Sequence, residues 1–310
     1  MGYGYRAVIP FNPRAPEFRA ETAWFDVATG ATVGGSSGAI PSGVRGDRVI
    51  TAGTRVLTLP PPNPPIVTGS QPNAFISVGT TSGESVAGVT SAGGGLPLLG
   101  RDAIFQVGTA AGTTPGDNTL TPGLRAYRLG EAHDLCGSVT CASWVLPITG
   151  GSTAPILSPD QSTLYLGIGE DLTAVDAASG TVRWTAPLGA APVAEPALAD
   201  GTLFVPLADG RLVAVDDGCG AATCGVQWSA TPGPGQRQPS VGGRVVFTVG
   251  SDDGSIEAFD AGGCGATTCQ PLWTADAGPA ITGSPAVANG RVYVSTADDD
   301  VVAFGLPTGG

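Results

Sequence analysis

Short runs rich in Val, Leu, Phe and Tyr recur along the second half of the chain, separated by polar turns of Gly, Asp and Asn. One such run extends from Val245 to Val249 and the next from Ile256 to Phe259, with the turn Asp252-Asp253-Gly254 between them. Such runs are typical of half-buried β-strands, and Gly, Asp and Asn supply the positive φ that hairpin turns need. The pattern therefore predicts an all-β protein.

This unit of strands and turns repeats along the chain. Three full copies end at Trp184, Trp228 and Trp273, and a fourth copy, GSPAVANGRVYVSTADDDVVAFG, stops before any Trp. Each full copy predicts three short strands followed by a fourth strand that carries the Trp. The first strand of each copy consists mainly of small residues, which fits an innermost strand close to a central axis. Repeats of about 40–45 residues that each form a four-stranded sheet are typical of the blades of a β-propeller.

The copies resemble PQQ-like (pyrroloquinoline-quinone-type) β-propeller repeats, whose signature is A-x-D-x-x-x-G-x-x-x-W. Ala174, Asp176, Gly180 and Trp184 match every fixed position of this signature. Its front half is matched by Ala214 with Asp216 and by Ala258 with Asp260. The resemblance implies that the Trp of each blade docks on the neighbouring blade and holds the two sheets together. The Trp residues at that position are Trp144, Trp184, Trp228 and Trp273.

The blades are regular in residues 150–310 and degenerate in residues 37–148. In the degenerate part, Ala39-Ile40-Pro41 with Arg48 to Thr51, and Val86 to Thr90 with Ala103 to Gly108, are predicted to be first and second strands. Leu124 to Leu129 is predicted to be a third strand. The segment PPPNPP and the stretch from Gly108 to Pro122 are interpreted as inserted surface loops.

Counting first strands predicts six blades within a single domain that spans residues 1–310. The first strands are expected near Pro41, Val86, Pro155, Pro196, Pro239 and Pro285. Seven blades is the alternative, if residues 3–33 form a blade of their own.

The last copy ends at LPTGG without a Trp-bearing strand. We expect residues 1–33 to close the ring, with the strand Thr22 to Val27 completing the last blade. An unpaired edge at that blade invites pairing with another chain, so it is also the expected place of any self-assembly.

All six cysteines lie in three copies of one spacing, CGSVTC, CGAATC and CGATTC. We expect three disulfides, Cys136–Cys141, Cys219–Cys224 and Cys264–Cys269, each stabilising the fold by roughly 2 kcal/mol. A metal site is the alternative, but the motifs lie on different blades, and zinc sites use a second ligand pair nearby. Disulfides indicate an oxidising compartment, either the periplasm, the cell surface or the medium. The start of the chain lacks the pattern of a signal peptide.

Charge and hydropathy exclude several classes of function. The net charge is −12 and every basic residue is Arg, which argues against a nucleic-acid partner, because phosphate binding needs a basic surface. The absence of Lys excludes a Schiff-base or P-loop lysine. No apolar run is long enough for a membrane span.

No catalytic constellation is found in the sequence, and no catalytic or cofactor-binding residue is predicted. His133 is the only histidine and is interpreted as a loop residue, since no G-x-S-x-G motif accompanies it. Quinoprotein dehydrogenases with this repeat have an adjacent Cys-Cys pair and a longer chain, neither of which occurs here.

Acidic residues recur in the turns between second and third strands, which a propeller places on one face. They are Glu170, Asp171, Asp209, Asp252, Asp253, Asp298, Asp299 and Asp300. Turn chemistry explains each of them singly. Together, Asp252, Asp253 and Asp298 to Asp300 are candidate ligands of Ca²⁺, or the acidic residues could face a basic partner.

The leading interpretation is a non-enzymatic, exported binding or scaffolding propeller for protein or glycan partners at the cell envelope or outside the cell. It resembles the propeller subunits of envelope assembly complexes. The alternatives are a small quinoprotein-type oxidoreductase and the sensor ectodomain of a membrane receptor.

Overall fold

A computed structural model describes residues 97–116, 119–128, 135–136, 139–233 and 235–305, and before residue 97 the strands whose bounds follow. The chain divides into two compact units, Met1–Ile148 and Thr149–Gly310. Both consist of antiparallel sheets in which neighbouring strands follow one another along the chain, apart from one small hairpin inserted between two strands of a sheet in the first unit. The all-β architecture is therefore confirmed, while the single-domain organisation stays a prediction.

Three four-stranded sheets and one three-stranded sheet make up the described part of the second unit. The first sheet contains β14 (Ile156–Leu157), β15 (Thr163–Ile168), β16 (Asp171–Asp176) and β17 (Val182–Pro187). The second contains β18 (Ala197–Ala199), β19 (Thr202–Pro206), β20 (Leu212–Asp216) and β21 (Val226–Ala230). The third contains β22 (Ser240–Gly242), β23 (Val245–Val249), β24 (Ser255–Asp260) and β25 (Trp273–Asp276). The last contains β26 (Ala286–Ala288), β27 (Arg291–Ser295) and β28 (Val301–Gly305).

The first unit contains one three-stranded sheet, two four-stranded sheets and a small hairpin among its described strands. The three-stranded sheet contains β1 (Gly2–Val8), β2 (Arg19–Phe25) and β3 (Thr32–Ser37). The next contains β4 (Ile40–Arg45), β5 (Arg48–Thr54), β6 (Ala74–Thr80) and β7 (Ser85–Ser91). The third contains β8 (Leu98–Leu99), β9 (Ala103–Ala111), β10 (Leu120–Arg128) and β13 (Trp144–Pro147). The hairpin contains β11 (Leu135–Cys136) and β12 (Val139–Thr140).

Three expectations for the first unit are wrong. Val86 to Thr90 lies in β7, the fourth strand of its sheet, and the next first strand is β8. The stretch from Gly108 to Pro122 is only in part a loop, because Gly108 to Ala111 belongs to β9 and Leu120 to Pro122 to β10, and these two strands pair as far as Ala111 with Leu120. PPPNPP lies outside the described residues.

The N-terminal strand from Thr22 does not complete the last blade. The segment from Thr22 falls in β2, which pairs with β1 on one side and β3 on the other. A middle strand has no free backbone edge, so β2 is not the missing fourth strand of the β26–β28 sheet. No neighbour of β28 on its outer side is found among the described strands.

The apolar core of the second unit lies between adjacent sheets, in three layers that we call seams. In the first seam, Tyr165, Leu172 and Trp184 of the β14–β17 sheet pack on Leu203 and Val213 of the β18–β21 sheet. Burial of such layers is the main stabilising contribution to a sheet stack.

The second seam joins the β18–β21 and β22–β25 sheets. In it, Phe204, Leu212 and Trp228 pack on Val246 and Phe259. The third seam joins the β22–β25 and β26–β28 sheets, where Val249 and Ile256 pack on Ile281 and Val294. The sheets therefore face one another as in a propeller.

Tight turns connect the first two strands of these sheets. Asp200 and Gly201 have φ of 48° and 78°, and Asn289 and Gly290 have φ of 51° and 70°. Two successive residues of positive φ match the twist of the flanking strands. These turns explain the pairs Asp200-Gly201 and Asn289-Gly290 in the sequence.

Candidate interaction face and seam residues

One face of the second unit carries the turns between second and third strands, together with the segments that lead into the first strands. We call it the turn face, and the incoming segments the inlet segments. A residue of each inlet segment forms a bridge with the end of the second strand or the residue beyond it. These pairs are Ser152 with Ile168, Pro192 with Leu207, Gln236 with Gly250, and Ile281 with Thr296. The bridges place each inlet segment beside the turn of its own sheet.

A cavity of about 440 Å³ opens on the turn face. All four sheets of the second unit contribute inlet residues to it, and most of the lining is polar. The polar residues are Ser152, Thr153, Glu195, Gln236, Arg237, Gln238 and Ser284. A second cavity, of about 410 Å³, shares Val193, Gln236 and Arg237 with the first and extends to Asp209 and Ser251. The turn face thus has a polar, open centre.

Gln236 fixes the inlet segment of the β22–β25 sheet to the turn of the preceding sheet. Its side chain is only 8% exposed, and its Nε2 donates a hydrogen bond to the Gly210 carbonyl oxygen at 2.6 Å. Its buried Oε1 has no hydrogen-bond partner. Sequence reasoning missed Gln236, because its burial depends on a turn of another sheet.

Two acidic residues of the turn face are engaged in their own turns. Asp209 accepts a hydrogen bond from the Arg211 backbone N–H at 3.1 Å and forms an ion pair with Arg211 Nε at 2.7 Å. Burial opposes ionisation of Asp209, but the hydrogen bonds from Arg211 lower its pKa overall. Asp253 accepts from the Ser255 backbone N–H at 2.9 Å. Turn chemistry accounts for these contacts.

The candidate calcium ligands are divided between two turns of different sheets. Asp252 and Asp253 follow β23, whereas Asp298, Asp299 and Asp300 follow β27. Among the described residues, no group of three or more His, Cys, Asp or Glu side chains is arranged to hold a metal ion. A joint site of these five aspartates is therefore not supported.

The signature aspartates occupy the opposite ends of their sheets, at the turns that follow the third strands. Asp176 Oδ1 accepts from the backbone N–H groups of Ala178 and Ser179 at 3.1 and 2.8 Å. Its Oδ2 forms an ion pair with Arg183 at 2.7 Å. Hydrogen bonding from Arg183, together with that from Ser179, lowers the pKa of Asp176 to about 2.

The equivalent residues, Asp216 and Asp260, accept hydrogen bonds from the backbone N–H groups of Gly218 and Gly262 at 2.9 and 2.8 Å. The Asp of the signature therefore shapes the turn before the fourth strand.

Trp184, Trp228 and Trp273 lie at the first, second and third seams. Trp184 is 7% exposed, and its Nε1 donates to the Asp217 carbonyl oxygen of the next sheet at 3.2 Å. Trp228 is 4% exposed, and its ring lies against Gly263 of the next sheet, where a Cβ would come within 2.7 Å of its Cδ1. Unlike that of Trp184, the Nε1 of Trp228 has no hydrogen-bond partner.

The two other signature Trp residues differ in their surroundings. The ring centroid of Trp273 is 5.8 Å from that of Phe304 in the next sheet, but Trp273 is only half-buried. The Trp144 centroid is 6.0 Å from that of Phe105 in its own sheet.

Two of the predicted disulfides, Cys219–Cys224 and Cys264–Cys269, are present. Cys141 is disulfide-bonded as well. The side chain of its predicted partner, Cys136, lies outside the described residues, so that pairing stays a prediction. His133 also lies outside the described residues.

Each bridged loop hydrogen-bonds to the outer strand of the preceding sheet. Thr185 N–H donates to the Ala222 carbonyl at 3.1 Å, and Cys224 N–H donates to the Thr185 carbonyl at 2.8 Å. The second seam repeats this geometry with Ser229, which pairs with Thr267 and Cys269 at 2.9 and 2.8 Å. In the first unit β12 likewise lies against β7. We call this arrangement a disulfide clasp, because a covalently closed loop of one sheet extends its neighbour.

One cross-strand position, between the second and third strands, varies strongly from sheet to sheet. In each of these sheets an aromatic residue of the second strand lies opposite an Ala of the third strand, such as Phe204 opposite Ala214. The residue after the aromatic residue and the residue before the Ala form the next cross-strand pair, which we call the variable pair. Its members are Gln106–Arg125, Leu166–Thr173, Val205–Val213, Thr248–Glu257 and Val294–Val302.

Arg125 is a buried charge whose hydrogen-bonding capacity is largely used. Its side chain is 1% exposed, and its guanidinium donates to the carbonyl oxygens of Gly108, Gly123 and Thr121 and to Thr121 Oγ1. Burial lowers its pKa. Several carbonyl acceptors thus compensate for the loss of hydration of this cation.

Glu257 presents the opposite case. Its Oε2 is buried without a hydrogen-bond partner, and burial, with a smaller contribution from the charge of Asp253, raises its pKa. Sequence reasoning missed Glu257, although a signal exists, because the aligned third strand of the preceding copy has Val213 at this position.

Comparison with known proteins supports the resemblance seen in the repeats. Residues 142–249 match the family model described as outer membrane protein assembly factor BamB. The chain therefore carries PQQ-like β-propeller repeats, as the signature around Trp184 predicts. No curated protein matches the sequence.

Several solved structures share this fold. BamB from Moraxella catarrhalis has a TM-score of 0.51 and 12% identity, with 93% of each chain covered. The computationally designed Ika8 protein gives the same values. A chain of the Mitotic Checkpoint Complex has a TM-score of 0.59 and 11% identity, covering 98% of this chain and 84% of that one. At such low identity, the likeness shows the β-propeller fold alone.

In the part of the chain that the structure describes, no helix is long and apolar enough to cross a membrane.

Proposed function

We propose that this chain is a non-enzymatic scaffold whose turn face binds a basic segment of a partner protein. The observation that carries the proposal is the turn face itself, where inlet segments of four sheets surround a polar cavity of about 440 Å³. A rigid frame with loops gathered on one face is how many binding proteins present a recognition surface. The match to an assembly-factor model over residues 142–249 supports a role in protein interaction.

The charge of the turn face supports a basic partner. Its acidic residues are Glu170, Asp171, Asp209, Asp252, Asp253, Asp298, Asp299 and Asp300. Arg211 is already paired with Asp209, and the protein as a whole has a net charge of −12. Such a field speeds the association of a cationic segment and weakens as salt screens it.

We further propose that the protein works in an oxidising, envelope-related compartment and that its sheets are the blades of one closed propeller domain. The disulfides support the compartment. Among the described strands there are seven sheets of three or more strands, which supports seven blades, the alternative to six.

Site-specific photocrosslinking in the native cell tests the proposed function. The chain offers a matched pair of positions for the photoreactive residue, because Val193 on the turn face is 47% exposed and Val182 on the outer strand β17 is 46% exposed. We expect a protein adduct at position 193 and none at position 182. The adducted protein, purified and titrated with the full chain, should bind at least about tenfold more weakly at 0.5 M than at 0.05 M salt.

Three outcomes would contradict the proposal. They are equal adducts at both positions, binding that does not change with salt, and binding of a glycan but of no protein. Dye reduction by the chain after addition of the quinone and Ca²⁺ would instead support the oxidoreductase alternative.

A further inference from the structure

The second seam differs from the other seams of this unit in the polarity of its variable pair. Its variable pair on the β22–β25 sheet is Thr248–Glu257, whereas the first seam has Val205–Val213 at the same position. Both valines are fully buried in the apolar layer. The fold therefore does not need polar side chains here, and their presence requires another reason.

Three buried oxygen atoms without hydrogen-bond partners lie on this part of the sheet: Thr248 Oγ1, Ser255 Oγ and Glu257 Oε2. Thr248 is directly opposite Glu257, and Ser255 is two residues before Glu257, so the three side chains leave the same face of the sheet. Thr248 is only 1% exposed. An unpartnered hydroxyl buried to this degree lacks the hydrogen bond that compensates for desolvation.

Asp253 adds a second carboxylate at the end of this face. Its Oδ1 accepts from the Ser255 backbone N–H at 2.9 Å, and its negative charge acts on Glu257. Gly233 of the inlet segment lies directly over Ser255 and Asp253, since a Cβ at Gly233 would clash with Ser255 Oγ and come within 3.0 Å of Asp253 Oδ2. The inlet segment therefore lies against the Ser255 and Asp253 end of this group of oxygens.

We propose that Thr248, Ser255, Glu257 and Asp253 form a binding site for one calcium ion in the second seam. The candidate ligands are all oxygens, two of them from carboxylates. Ca²⁺ accepts hydroxyl, carboxylate and backbone oxygens in irregular arrangements, whereas Zn²⁺ prefers nitrogen and sulfur ligands and Mg²⁺ demands a near-octahedral geometry. A cation neutralises two neighbouring carboxylates and supplies the partner that the buried hydroxyls lack.

Of the five aspartates that the turns suggest as calcium ligands, only Asp253 belongs to this site. Asp298, Asp299 and Asp300 lie in the turn of another sheet. They provide a matched control, because a triple Asn variant at these positions removes more charge than Glu257→Gln and leaves the proposed site intact.

Calorimetric titration of the chelator-treated full chain with CaCl₂ tests the proposal. We expect one site per chain with a Kd below about 1 mM, as in extracellular calcium modules. Glu257→Gln should weaken binding at least about tenfold, and Thr248→Val should weaken it several-fold. The triple Asn control should bind within about twofold of the unmodified chain. In thermal unfolding, 10 mM Ca²⁺ should raise the midpoint by about 3 °C or more, and this shift should disappear in Glu257→Gln.

Tb³⁺ luminescence excited through Trp gives a measurement that does not depend on stability. Trp228 packs in the same seam, so we expect sensitised emission that Ca²⁺ displaces and that Glu257→Gln abolishes. The proposal is overturned if 10 mM Ca²⁺ produces neither heat nor a midpoint shift. It is also overturned if Glu257→Gln binds as tightly as the unmodified chain, or if the triple Asn control loses binding instead.

Discussion

The first and second seams of the second unit share the same frame but not the same variable pair. Each has a buried Trp from the fourth strand of one sheet and a disulfide clasp from the next sheet. In the first seam the variable pair is Val205–Val213, which is completely apolar and fully buried. In the second it is Thr248–Glu257, with unpartnered buried oxygens.

This difference separates what the fold requires from what it merely tolerates. The Trp and Asp of the signature and the disulfide clasp recur from sheet to sheet, so they belong to the structural framework of a blade. The variable pair does not recur, and the sheets have Val, Thr, Glu or Arg there. In a repeat protein, such a departure is the place to look for a local function.

The largest expected effect on the free energy of unfolding comes from removing the Trp ring that each of the two seams contains. Trp184→Ala should lower the free energy of unfolding by about 3–5 kcal/mol, because it leaves a large cavity. Trp228→Ala should cost about 1 kcal/mol less, since the Trp184 Nε1 donates to Asp217 whereas the Trp228 Nε1 has no partner. Urea unfolding of both variants measures the difference.

Val182→Ala is the control for these variants, because Val182 is 46% exposed on the same strand as Trp184, and it should change the stability little. A cost below about 1 kcal/mol for both Trp variants would contradict their role in holding the sheets together.

The next effect in size comes from opening the clasps. Replacing Cys219 and Cys224 by Ser should cost about 2 kcal/mol, and replacing Cys264 and Cys269 should cost the same, because both disulfides close loops of equal length. Hydrogen exchange should accelerate at the amide of Thr185 in the first variant only, since this amide donates to Ala222 of the opened loop.

Thiol titration of the unfolded, unreduced chain provides the independent check on all three bridges and should find no free thiol. Two or more free thiols would show that the pairing between Cys136 and Cys141 is wrong.

A smaller effect on the free energy of unfolding is expected when the variable pair of the second seam is replaced by the Val–Val pair of the first seam. With chelator present, Thr248→Val combined with Glu257→Val should raise the free energy of unfolding by about 1–2 kcal/mol, because apolar residues replace unpartnered polar groups. Burial raises the pKa of Glu257 in the folded state. The unmodified chain therefore loses stability relative to the double variant as the pH rises through the ordinary range of a glutamate. A double variant less stable than the unmodified chain at every pH would contradict this prediction.

The sequence predicted the regular sheets well because each of their strands is bounded by turn residues. The strand from Val245 to Val249 is β23 as expected, and Ile256 to Phe259 falls within β24. Prediction failed around Val86, since β7 carries no Trp to mark it as a fourth strand and β8 has only two residues. A strand of two residues leaves no pattern of its own in a sequence and is found only where a regular repeat marks its position, as for β14.

For the candidate sites, the sequence predicted the residues that repeat from copy to copy and did not predict those that occur only once. The turn aspartates and cysteines recur at fixed spacing, so the sequence displays them. Glu257 became visible only when its strand was placed opposite Thr248, and Gln236 only when Gly210 of the preceding sheet was placed beside it. Contacts between sheets depend on packing, which a repeat pattern does not encode.

The smallest expected effect on the free energy of unfolding comes from replacing Asp176, the signature aspartate in the turn after β16, and this effect depends on pH. The pKa of Asp176 is lowered to about 2 in the folded protein, so its ion pair and turn hydrogen bonds stabilise the fold above the ordinary pKa of an aspartate. This stabilisation is lost as the pH falls from about 4 towards 2. Asp176→Asn removes the ion pair with Arg183, and because this pair lies near the surface we expect a cost of less than about 1 kcal/mol at pH 7.

Asp160, whose pKa is also about 2 because of hydrogen bonds from Ser158 and Ser162, titrates in both proteins and cancels in their difference. The difference in unfolding free energy between the unmodified chain and Asp176→Asn should therefore be constant above about pH 5 and vanish near pH 2. Urea unfolding at several pH values measures it. A difference that persists unchanged at pH 2 would mean that the carboxylate charge of Asp176 plays no part, and that the turn is held by the geometry of its hydrogen bonds alone.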